Sequence, residues 1–169
     1  QVTQHHQCAI TDPLTGLYNL AFFAERLALE LDRARQTLDP LAVVMFDLDH
    51  FKRFNDNFGH QAGNAALQRV AAIFRSASRR GDIIARYGGE EFIVLLYGAD
   101  AMRAHYFAER VRSRVAAETF GEATSRAQCH LTLSAGIACF PAQPGGRRGN
   151  ADSLILDADN QLYRAKQEG

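Results

Sequence analysis

The apolar run at residues 41–46, Leu-Ala-Val-Val-Met-Phe, constrains the fold of this chain more than any other feature. It contains β-branched valines and has no polar position. A run of that length and composition is typical of a strand buried on both faces, not of a surface strand that alternates polar and apolar residues. The run therefore predicts a strand in the interior of an α/β domain.

Patterns typical of helices and strands alternate along the rest of the chain. Apolar residues at helical spacing, and runs enriched in β-branched residues, predict helices at 20–35, 62–76, 100–118 and 152–167 and a strand at 130–138. Two further strand-like runs, 82–87 and 91–97, flank Gly88-Gly89 and indicate a hairpin. Together these elements predict one α/β domain, an α+β sandwich in which helices surround a central sheet of mixed direction.

Composition excludes several classes of protein. Lys plus Arg and Asp plus Glu number 19 each, and this balance argues against a polycation that binds nucleic acid or anionic membrane. Three cysteines without a CxxC pair form neither a disulfide framework nor a zinc site. No apolar run approaches the length of a membrane span. We expect a cytoplasmic domain that binds no nucleic acid and makes no direct membrane contact.

Residues 1–10 show no strong pattern and are interpreted as the tail of a linker from an upstream regulatory region. The chain starts at Gln1 without an initiator Met. We therefore interpret it as a domain excised from a parent protein, which has room for a sensor or a membrane anchor.

An acidic motif, Asp47-Leu48-Asp49, follows the buried run directly. Residues i and i+2 of a strand face the same side, so both carboxylates share a site if the strand continues this far. Acids at the end of a buried strand, close to a helix N-terminus, suit a hard cation that carries polyphosphate. The alternative for Asp49 is an ordinary N-cap of a helix that begins near Phe51.

The second motif is the hairpin Arg-Tyr-Gly-Gly-Glu-Glu-Phe at 86–92. Gly88 and Gly89 permit positive φ and let a phosphate approach the backbone closely. Glu90 and Glu91 begin the returning strand and point to opposite faces, so at most one lies in line with Asp47. By itself, this motif is better explained as a solvated hairpin with an ordinary Gly-Gly turn.

Taken together, the two motifs resemble the GGDEF family of diguanylate cyclases, in its GGEEF form. The match is not limited to the hairpin: four segments resemble the family in its own order and spacing, one of them containing the acidic motif, and extend the match over roughly residues 11 to 168. They are DPLTGLYN at 12–19, FDLDHFKRFNDNFGHQAGN at 46–64, TLSAGIA at 132–138 and ADNQLYRAK at 158–166. The resemblance implies an adenylyl-cyclase-like fold in a GGDEF domain at 11–169. It also implies condensation of two GTP into cyclic di-GMP by a homodimer.

This resemblance implies a metal site. Asp47, the backbone carbonyl of Leu48 and Glu90 match the family's metal positions, and Glu91 shares in binding. The implied cofactor is Mg²⁺, two ions per active site, with Mn²⁺ as an alternative; the ions bridge the triphosphate and activate the ribose 3′-hydroxyl. Glu90 is also the implied proton acceptor and so the first catalytic candidate.

Substrate contacts follow from the same resemblance. The positions that match them are Phe51, Lys52, Asn55, Asn64, Gly88, Gly89 and Lys166. The helix start at Phe51 matches a phosphate cradle, and the two asparagines match the residues that bind the guanine base. Lys52, the second catalytic candidate, and Lys166 match basic positions that meet the triphosphate. Without the family context, each lysine is interpreted as a solvated surface side chain.

Arg79 and Asp82 are three residues apart, just before the hairpin, and their spacing to Gly88 matches the family's product-inhibition site. The arginine fork would contact guanine O6 and N7, and the carboxylate would accept from the guanine edge. Arg110 matches a secondary position of that site. The alternatives are a basic helix end followed by a turn Asp, and an exposed helix arginine at 110.

Asn64 departs from the family, which commonly has Asp there. An amide accepts only one of the two adjacent donors of guanine and sets its own NH₂ against the other, whereas it pairs with the donor–acceptor edge of adenine. The leading hypothesis is a diguanylate cyclase with product inhibition. The alternatives are a relaxed cyclic dinucleotide synthase that makes some cyclic GMP-AMP, and a catalytically silent domain that binds GTP or cyclic di-GMP.

Overall fold

The computed structural model of the chain describes residues 10–121, 129–141 and 149–169. Its helices and strands, in chain order, are α1 (Leu20–Thr37), β1 (Leu41–Leu48), α2 (Phe51–Phe58), α3 (His60–Ala77), β2 (Ile83–Arg86), β3 (Glu91–Tyr97), α4 (Ala101–Ala117), β4 (Leu133–Phe140) and α5 (Ala151–Glu168). The α/β class is confirmed. The linker interpreted at residues 1–10 falls almost wholly outside the described residues.

The four strands form one sheet in the order β2-β3-β1-β4, and each adjacent pair is antiparallel. The mixed direction expected of the sheet is therefore not found among these strands. A short hairpin joins β2 to β3 and forces them to be antiparallel, and β1 runs opposite to both of its neighbours. Among the described residues, parallel pairing is limited to the isolated bridge between Tyr18 and Ala85.

Strand β1 is buried on both faces, as its composition predicts. Leu41 to Phe46 are all fully buried. Alternate residues enter two separate cores, because successive side chains of a strand point to opposite faces. Val44 and Phe46 pack with Phe74 of α3 and Phe107 of α4, whereas Val43 and Met45 share a core with residues of α1 and α5. The sheet is thus a central layer that holds the end of β1 in a fixed place.

Local sequence signals explain where the main helices begin. Asn19 caps α1 by accepting from the backbone N–H of Phe22, and Asp100 caps α4 by accepting from that of Arg103. Asn150 and Ser153 form a reciprocal capping box at the start of α5. These helices cover the two faces of the sheet, and α5 carries its last turn to the end of β1.

The described part of the chain agrees with two of the exclusions from composition. Cys129 and Cys139 are free thiols, and the third cysteine lies outside the described residues. Among the helices described, none combines the length and the apolar character needed to cross a bilayer.

Candidate functional site

The site is built around Asp47, near the end of β1. The strand continues two residues past its apolar run, so that Asp47 lies opposite Glu91 of β3 and Ser134 of β4. Its Oδ2 forms an ion pair with Lys166 Nζ at 2.9 Å, and its side chain is only 13% exposed. Its Oδ1 is buried and has no hydrogen-bond partner among the described residues. A buried carboxylate oxygen without a donor calls for a cation or a proton.

Asp49 joins the same site, although the strand has ended by then. Its two oxygens accept from the hydroxyls of Thr132 and Ser134, each at 2.7 Å, and Oδ1 lies 3.6 Å from Lys166 Nζ. The N-cap alternative for Asp49 is wrong. His50 occupies the N-cap position with a φ of 56°, and the carboxylate of Asp49 accepts from Thr132 and Ser134 instead.

Two glutamates add negative charge beside Asp47. Glu91 is the first residue of β3 and its register partner, so Glu91 is the one that lies in line with it. Burial raises the pKa of Glu90, and the charge of Asp47 raises it further, while Lys166 acts the other way. The pKa of Glu91 is also raised, by burial and then by Asp47, with a further contribution from Asp159. Asp159, which lies on α5, is not among the site residues predicted from the sequence.

The lysine does not neutralise this group of acids. Burial raises the pKa of Asp47, and the nearby charges of Asp49 and Asp159 raise it too, against the lowering effect of Lys166. Burial lowers the pKa of Lys166, but its hydrogen bond and attraction to Asp47 outweigh this and leave the pKa raised. The pKa of Asp47 is therefore raised first by burial and then, to a smaller extent, by the neighbouring acids, despite its ion pair with Lys166. Such an environment favours a bound cation.

The residues present fit a magnesium ion that arrives with its substrate. Within the described chain, no group of three or more His, Cys, Asp or Glu side chains forms a ready-made metal cage. Mg²⁺ in nucleotide enzymes is usually held by one or two carboxylates together with substrate phosphates and water. Asp47, whose Oδ1 has no partner among the described residues, and the two glutamates beside it offer three carboxylates, which is enough to supply those ligands.

Gly88 and Gly89 form the tip of the hairpin, but neither has a φ in the left-handed region. The positive φ that these glycines permit is therefore not used at either position. A side chain added at Gly89 would meet nothing within 4 Å, and one at Gly88 would lie 3.3 Å from Oε2 of Glu91. What these glycines provide is open space above the backbone, which a ligand can approach closely.

A cleft opens beside Asp49 and the start of α2. It is lined by Asp49, His50, Thr132, Ser134, Lys166 and Gly169. The side chain of His50 makes no capping hydrogen bond, so the first amides of α2 are available to an anion. Phe51 buries its side chain in the core and offers only its backbone here, whereas Lys52 is exposed. Lys52 and Lys166 therefore stand in different environments.

The two asparagines expected to bind the base lie where α2 and α3 meet. Asn55 Oδ1 is buried without a hydrogen-bond partner among the described residues. Gly63 of α3 faces it so closely that a side chain at Gly63 would collide with that oxygen. Asn64 follows directly and is exposed. The buried, unpartnered amide oxygen of Asn55 is suited to a ligand that brings a donor.

Arg79, Asp82 and Arg110 line a second cleft, together with Arg103, Tyr106 and Phe107. Asp82 Oδ2 accepts from the backbone N–H of Arg79 at 2.7 Å, and Arg110 donates to the carbonyl of Ala77. Burial raises the pKa of Asp82, partly offset by a hydrogen bond from Arg79 and the charges of both arginines. Asp82 precedes β2 and Gly88 follows it, so about 16–20 Å of extended chain separates this cleft from the hairpin tip.

Sequence reasoning missed one further pair. Arg86 donates from Nε to the carbonyl of Gly88 at 3.1 Å and from an NH2 nitrogen to that of Gly89 at 2.8 Å. Its remaining nitrogen forms an ion pair with Asp12 at 3.2 Å. Asp12 lies in the turn before α1. Both residues belong to motifs quoted for the family resemblance, but nothing in their spacing indicated that they meet.

Comparison with known proteins decides the family. The sequence model described as "Diguanylate cyclase, GGDEF domain" matches residues 9–169. The chain belongs to the GGDEF family. This GGDEF domain is 42% identical over 166 residues to the diguanylate cyclase DgcP of Pseudomonas aeruginosa. The match covers 96% of this chain but only 23% of DgcP, so the domain spans about a quarter of that relative.

Solved structures share its fold. The GGDEF domain of DgcB from Caulobacter crescentus, crystallised with c-di-GMP, superposes with a TM-score of 0.87 at 30% identity, over 95% of this chain and 89% of that one. An active GGEEF domain of a diguanylate cyclase from Vibrio cholerae has a TM-score of 0.79 at 30% identity, over 89% and 92% of the two chains. The fold predicted from the resemblance is confirmed by both.

Proposed function

We propose that this GGDEF domain is a diguanylate cyclase, which condenses two GTP into cyclic di-GMP and releases two pyrophosphates. One observation carries the proposal: at an open glycine hairpin, beside two glutamates of raised pKa, Asp47 has a buried oxygen to which no described residue donates. A protein that only needed a stable fold would gain nothing from three crowded carboxylates. Membership of the family and the relation to a curated cyclase support the same activity.

Asp47, Glu90 and Glu91 would hold the metal, with the backbone carbonyl of Leu48. Enzymes of this family are generally metal-dependent; we propose Mg²⁺, with Mn²⁺ as an alternative. When bound, the metal supplies charge neutralisation at the triphosphate and a lower pKa for the attacking hydroxyl. Asp47 meets that need with the oxygen that has no other partner.

Glu90 is the group we propose to accept the proton of the 3′-hydroxyl. That hydroxyl attacks the α-phosphate of the second GTP, the P–O bond to pyrophosphate breaks, and the proton passes to the carboxylate. A general base works best when its pKa is near the working pH. The raised pKa of Glu90, from burial and from Asp47, moves it in that direction.

Lys166 and Lys52 would bind the leaving pyrophosphate group from two sides. Lys166 lines the cleft at the start of α2 and already faces the carboxylates, and a bound triphosphate would draw its ammonium towards the phosphate oxygens. Lys52 is exposed in the first turn of α2, where its charge adds to that of the free helix amides. Both would stabilise the charge that develops on pyrophosphate as it leaves.

Two copies of the domain are needed, because each site holds one GTP and each 3′-hydroxyl must reach the other nucleotide. We therefore propose a homodimer as the active form, in a cytoplasmic setting where GTP is available. The cleft of Arg79, Asp82 and Arg110 is proposed as the product-binding site. Its half-buried acid and its arginines suit a guanine edge and a phosphate.

A second candidate activity comes from Asn55 and Asn64. Asn55 offers one buried amide oxygen that has no partner among the described residues, and the exposed Asn64 has an amide where the family commonly has a carboxylate. Two amides have less acceptor capacity than guanine demands. We propose relaxed selectivity, with some ATP incorporated, as the alternative to strict use of GTP. Discrimination of this kind is worth about 1–3 kcal/mol per bidentate contact.

The test is product formation by the chain fused at its N-terminus to a parallel dimeric coiled coil. GTP and Mg²⁺ are supplied, with and without equimolar ATP, and products are identified by mass. We expect cyclic di-GMP from GTP alone, and Glu90→Gln should lower its rate at least about 100-fold. The unfused chain should show a specific activity that rises with protein concentration.

Three results would change the assignment. Mixed cyclic GMP-AMP in the reaction with ATP would establish relaxed selectivity. Its complete absence would remove that candidate. A forced dimer that binds GTP but forms no cyclic product would overturn catalysis and leave a nucleotide-binding regulator.

A further inference from the structure

The guanidinium of Arg86 is fully engaged between two parts of the chain that are distant in sequence. Two of its nitrogens donate to the consecutive carbonyls of Gly88 and Gly89. The third donates to both oxygens of Asp12, at 3.2 and 3.3 Å. Only the planar fork of arginine can serve three directions in this way. Arg86 therefore joins the turn before α1 to the tip of the hairpin.

This contact fixes which way the hairpin peptides face. The carbonyl of Gly88 shares its peptide plane with the N–H of Gly89, and the carbonyl of Gly89 shares its plane with the N–H of Glu90. In a trans peptide the two groups point in opposite directions, and neither of these bonds is cis. With both carbonyls turned to Arg86, both amides turn away from it. A side chain added at Gly89 would meet nothing within 4 Å, so the tip of the hairpin is open to a ligand.

Those two amides are free to receive a ligand. The amides of Tyr87 and Gly88 both donate to the carbonyl of Glu91. The amides of Gly89 and Glu90 have no acceptor within the described chain. Successive outward N–H groups form a concavity that binds anions. One of the two amides belongs to Glu90, whose side chain we propose as the base.

Asp12 is itself held firmly, so it can transmit the position of its turn. Its Oδ2 accepts from the backbone N–H of Thr15 at 2.9 Å and from its hydroxyl at 2.7 Å. The turn is docked on β2 through the hydrogen bonds of Tyr18 with Ile84 and Arg86. Ile10, the first described residue, accepts from the amide of Asn19. Ile10, at the entry to the domain, is thus linked through this one short turn to the contact between Asp12 and Arg86.

We propose that Arg86 is a positioning residue that turns the amides of Gly89 and Glu90 towards the nucleotide phosphate, and that Asp12 makes this depend on the docked N-terminal turn. The proposal rests on the proposed cyclase function. It adds a route by which the segment preceding the domain acts on the hairpin of its own subunit, without a change in dimerisation.

Kinetics on the forced dimer provide the first test. Arg86→Lys keeps the charge but loses the fork, and we expect kcat to fall about 10- to 100-fold, with KM for GTP within about twofold. Asp12→Asn should give a smaller fall, about three- to tenfold. Because both changes break one linkage, the double variant should be no slower than Arg86→Lys alone.

Arg75→Lys is the matched control. Arg75 donates through both terminal nitrogens to the carbonyl of Thr15, in the same turn, but does not contact the hairpin. We expect its kcat to be that of wild type. A fall as large as that of Asp12→Asn would mean that the turn acts as a whole, and would overturn the role of the Asp12–Arg86 linkage.

Hydrogen exchange of the nucleotide-free protein tests the positioning independently of activity. The amides of Tyr87 and Gly88 donate to the carbonyl of Glu91 and report on the hairpin. In Arg86→Lys they should exchange about tenfold faster or more, while the amide of Val44 in the centre of the sheet should not change. Unchanged exchange at the hairpin would overturn the proposal, even if kcat fell.

The two readouts separate this inference from the proposed function. If the wild-type dimer made no cyclic product, the cyclase assignment would fail. Faster hairpin exchange in Arg86→Lys and Asp12→Asn, but not in Arg75→Lys, would still establish the linkage. If hairpin exchange in both Arg86→Lys and Asp12→Asn equalled that of wild type, the linkage would be refuted and the cyclase assignment would remain intact.

Discussion

At the scale of single residues, the pairing of Asp47 with Glu91 destabilises the domain when both carboxylates are charged. The two acids are register partners on adjacent antiparallel strands. Like charges directly opposite each other destabilise a sheet. Burial, together with their mutual repulsion, raises the pKa of Glu91 above its ordinary value of 4.5. The domain thus gives up stability at the position where it would bind a cation.

Glu91→Gln should therefore stabilise the metal-free domain at pH 8. A carboxyl whose folded pKa is raised weakens the fold once pH passes its ordinary value, and has no such effect when it is protonated. We expect the melting temperature at pH 8 in chelator to rise by about 1–3 °C. The difference from wild type should shrink as pH falls towards 4. A lower melting temperature at pH 8 would contradict the repulsion.

Glu109→Gln is a control for which we expect the opposite change in melting temperature. Hydrogen bonds and attraction from Arg112 lower the pKa of Glu109, so its carboxylate stabilises the fold above its ordinary pKa and this contribution is lost as pH falls. The pair is exposed, and exposed ion pairs contribute little. Its loss should lower the melting temperature at pH 8 by less than about 2 °C.

Lys166→Met should show whether Lys166 and a metal ion compete for Asp47. The ammonium and a metal ion compete for the same carboxylate, and methionine keeps the length of the side chain without the charge. We expect half-maximal thermal stabilisation by Mg²⁺, without nucleotide, at a concentration about three- to tenfold lower. KM for GTP should rise about tenfold.

Lys52→Met is the matched control for this change. Lys52 is exposed and has no ion pair within the described part of the chain. Lys52→Met should raise KM for GTP, but its thermal stabilisation by Mg²⁺ without nucleotide should equal that of wild type. An equal response of both variants to Mg²⁺ would show that Lys166 does not compete with the metal.

At the scale of elements, the contact of α5 with β4 decides where Lys166 lies. The helix crosses the strand at Gly136, where an added side chain would collide with the backbone of Ala158 and Leu162. So close an approach is possible only without a Cβ. The glycine therefore sets the distance from which the last turn of α5 reaches the end of β1.

Gly136→Ala should push α5 away from the sheet. Overpacking of this kind costs about 1–3 kcal/mol, and the melting temperature should fall by about 3–10 °C. Gly89→Ala is the matched change at an open position: its melting temperature should stay within about 1 °C of wild type, but cyclase activity should fall because the tip is no longer open to substrate. A stable Gly136→Ala would refute the close packing of α5 on β4.

At the scale of the whole molecule, β2 separates two clefts that we assign to catalysis and to product. The hairpin tip follows β2, and the cleft with Arg79 and Asp82 precedes it. Each cleft has its own charged residues, and none of the residues that the structure describes lines both. Their functions should therefore respond to substitution independently.

Arg79→Ala should weaken binding of cyclic di-GMP about 10- to 100-fold, the scale of a bidentate contact to guanine. The initial rate of product formation should not change, whereas inhibition at high product concentration should disappear. Arg80→Ala removes the same charge one residue further along the chain and should bind product like wild type. Calorimetry with cyclic di-GMP measures both, and equal losses in the two variants would indicate a general effect of charge.

The sequence by itself determined the elements and the type of chemistry. Six consecutive apolar residues predicted that β1 is buried on both faces, and caps such as Asn19 and Asp100 set the helix starts. These features are local, because they depend on periodicity and on hydrogen bonds within a few residues. Each family motif is likewise continuous in sequence, and the resemblance implied that Asp47 and the two glutamates share a site; the register of β1 with β3 is what brings Asp47 and Glu91 opposite each other.

Only the tertiary structure decided which distant residues meet. Asp49 is bound by hydroxyls from the strand beside it, and Arg86 reaches Asp12 from 74 positions away. Such contacts depend on strand order and register, which the pattern of apolar residues does not encode. The glycines at the hairpin tip show the same limit: their sequence indicated an unusual backbone, but the packing around them left ordinary φ angles and an open surface.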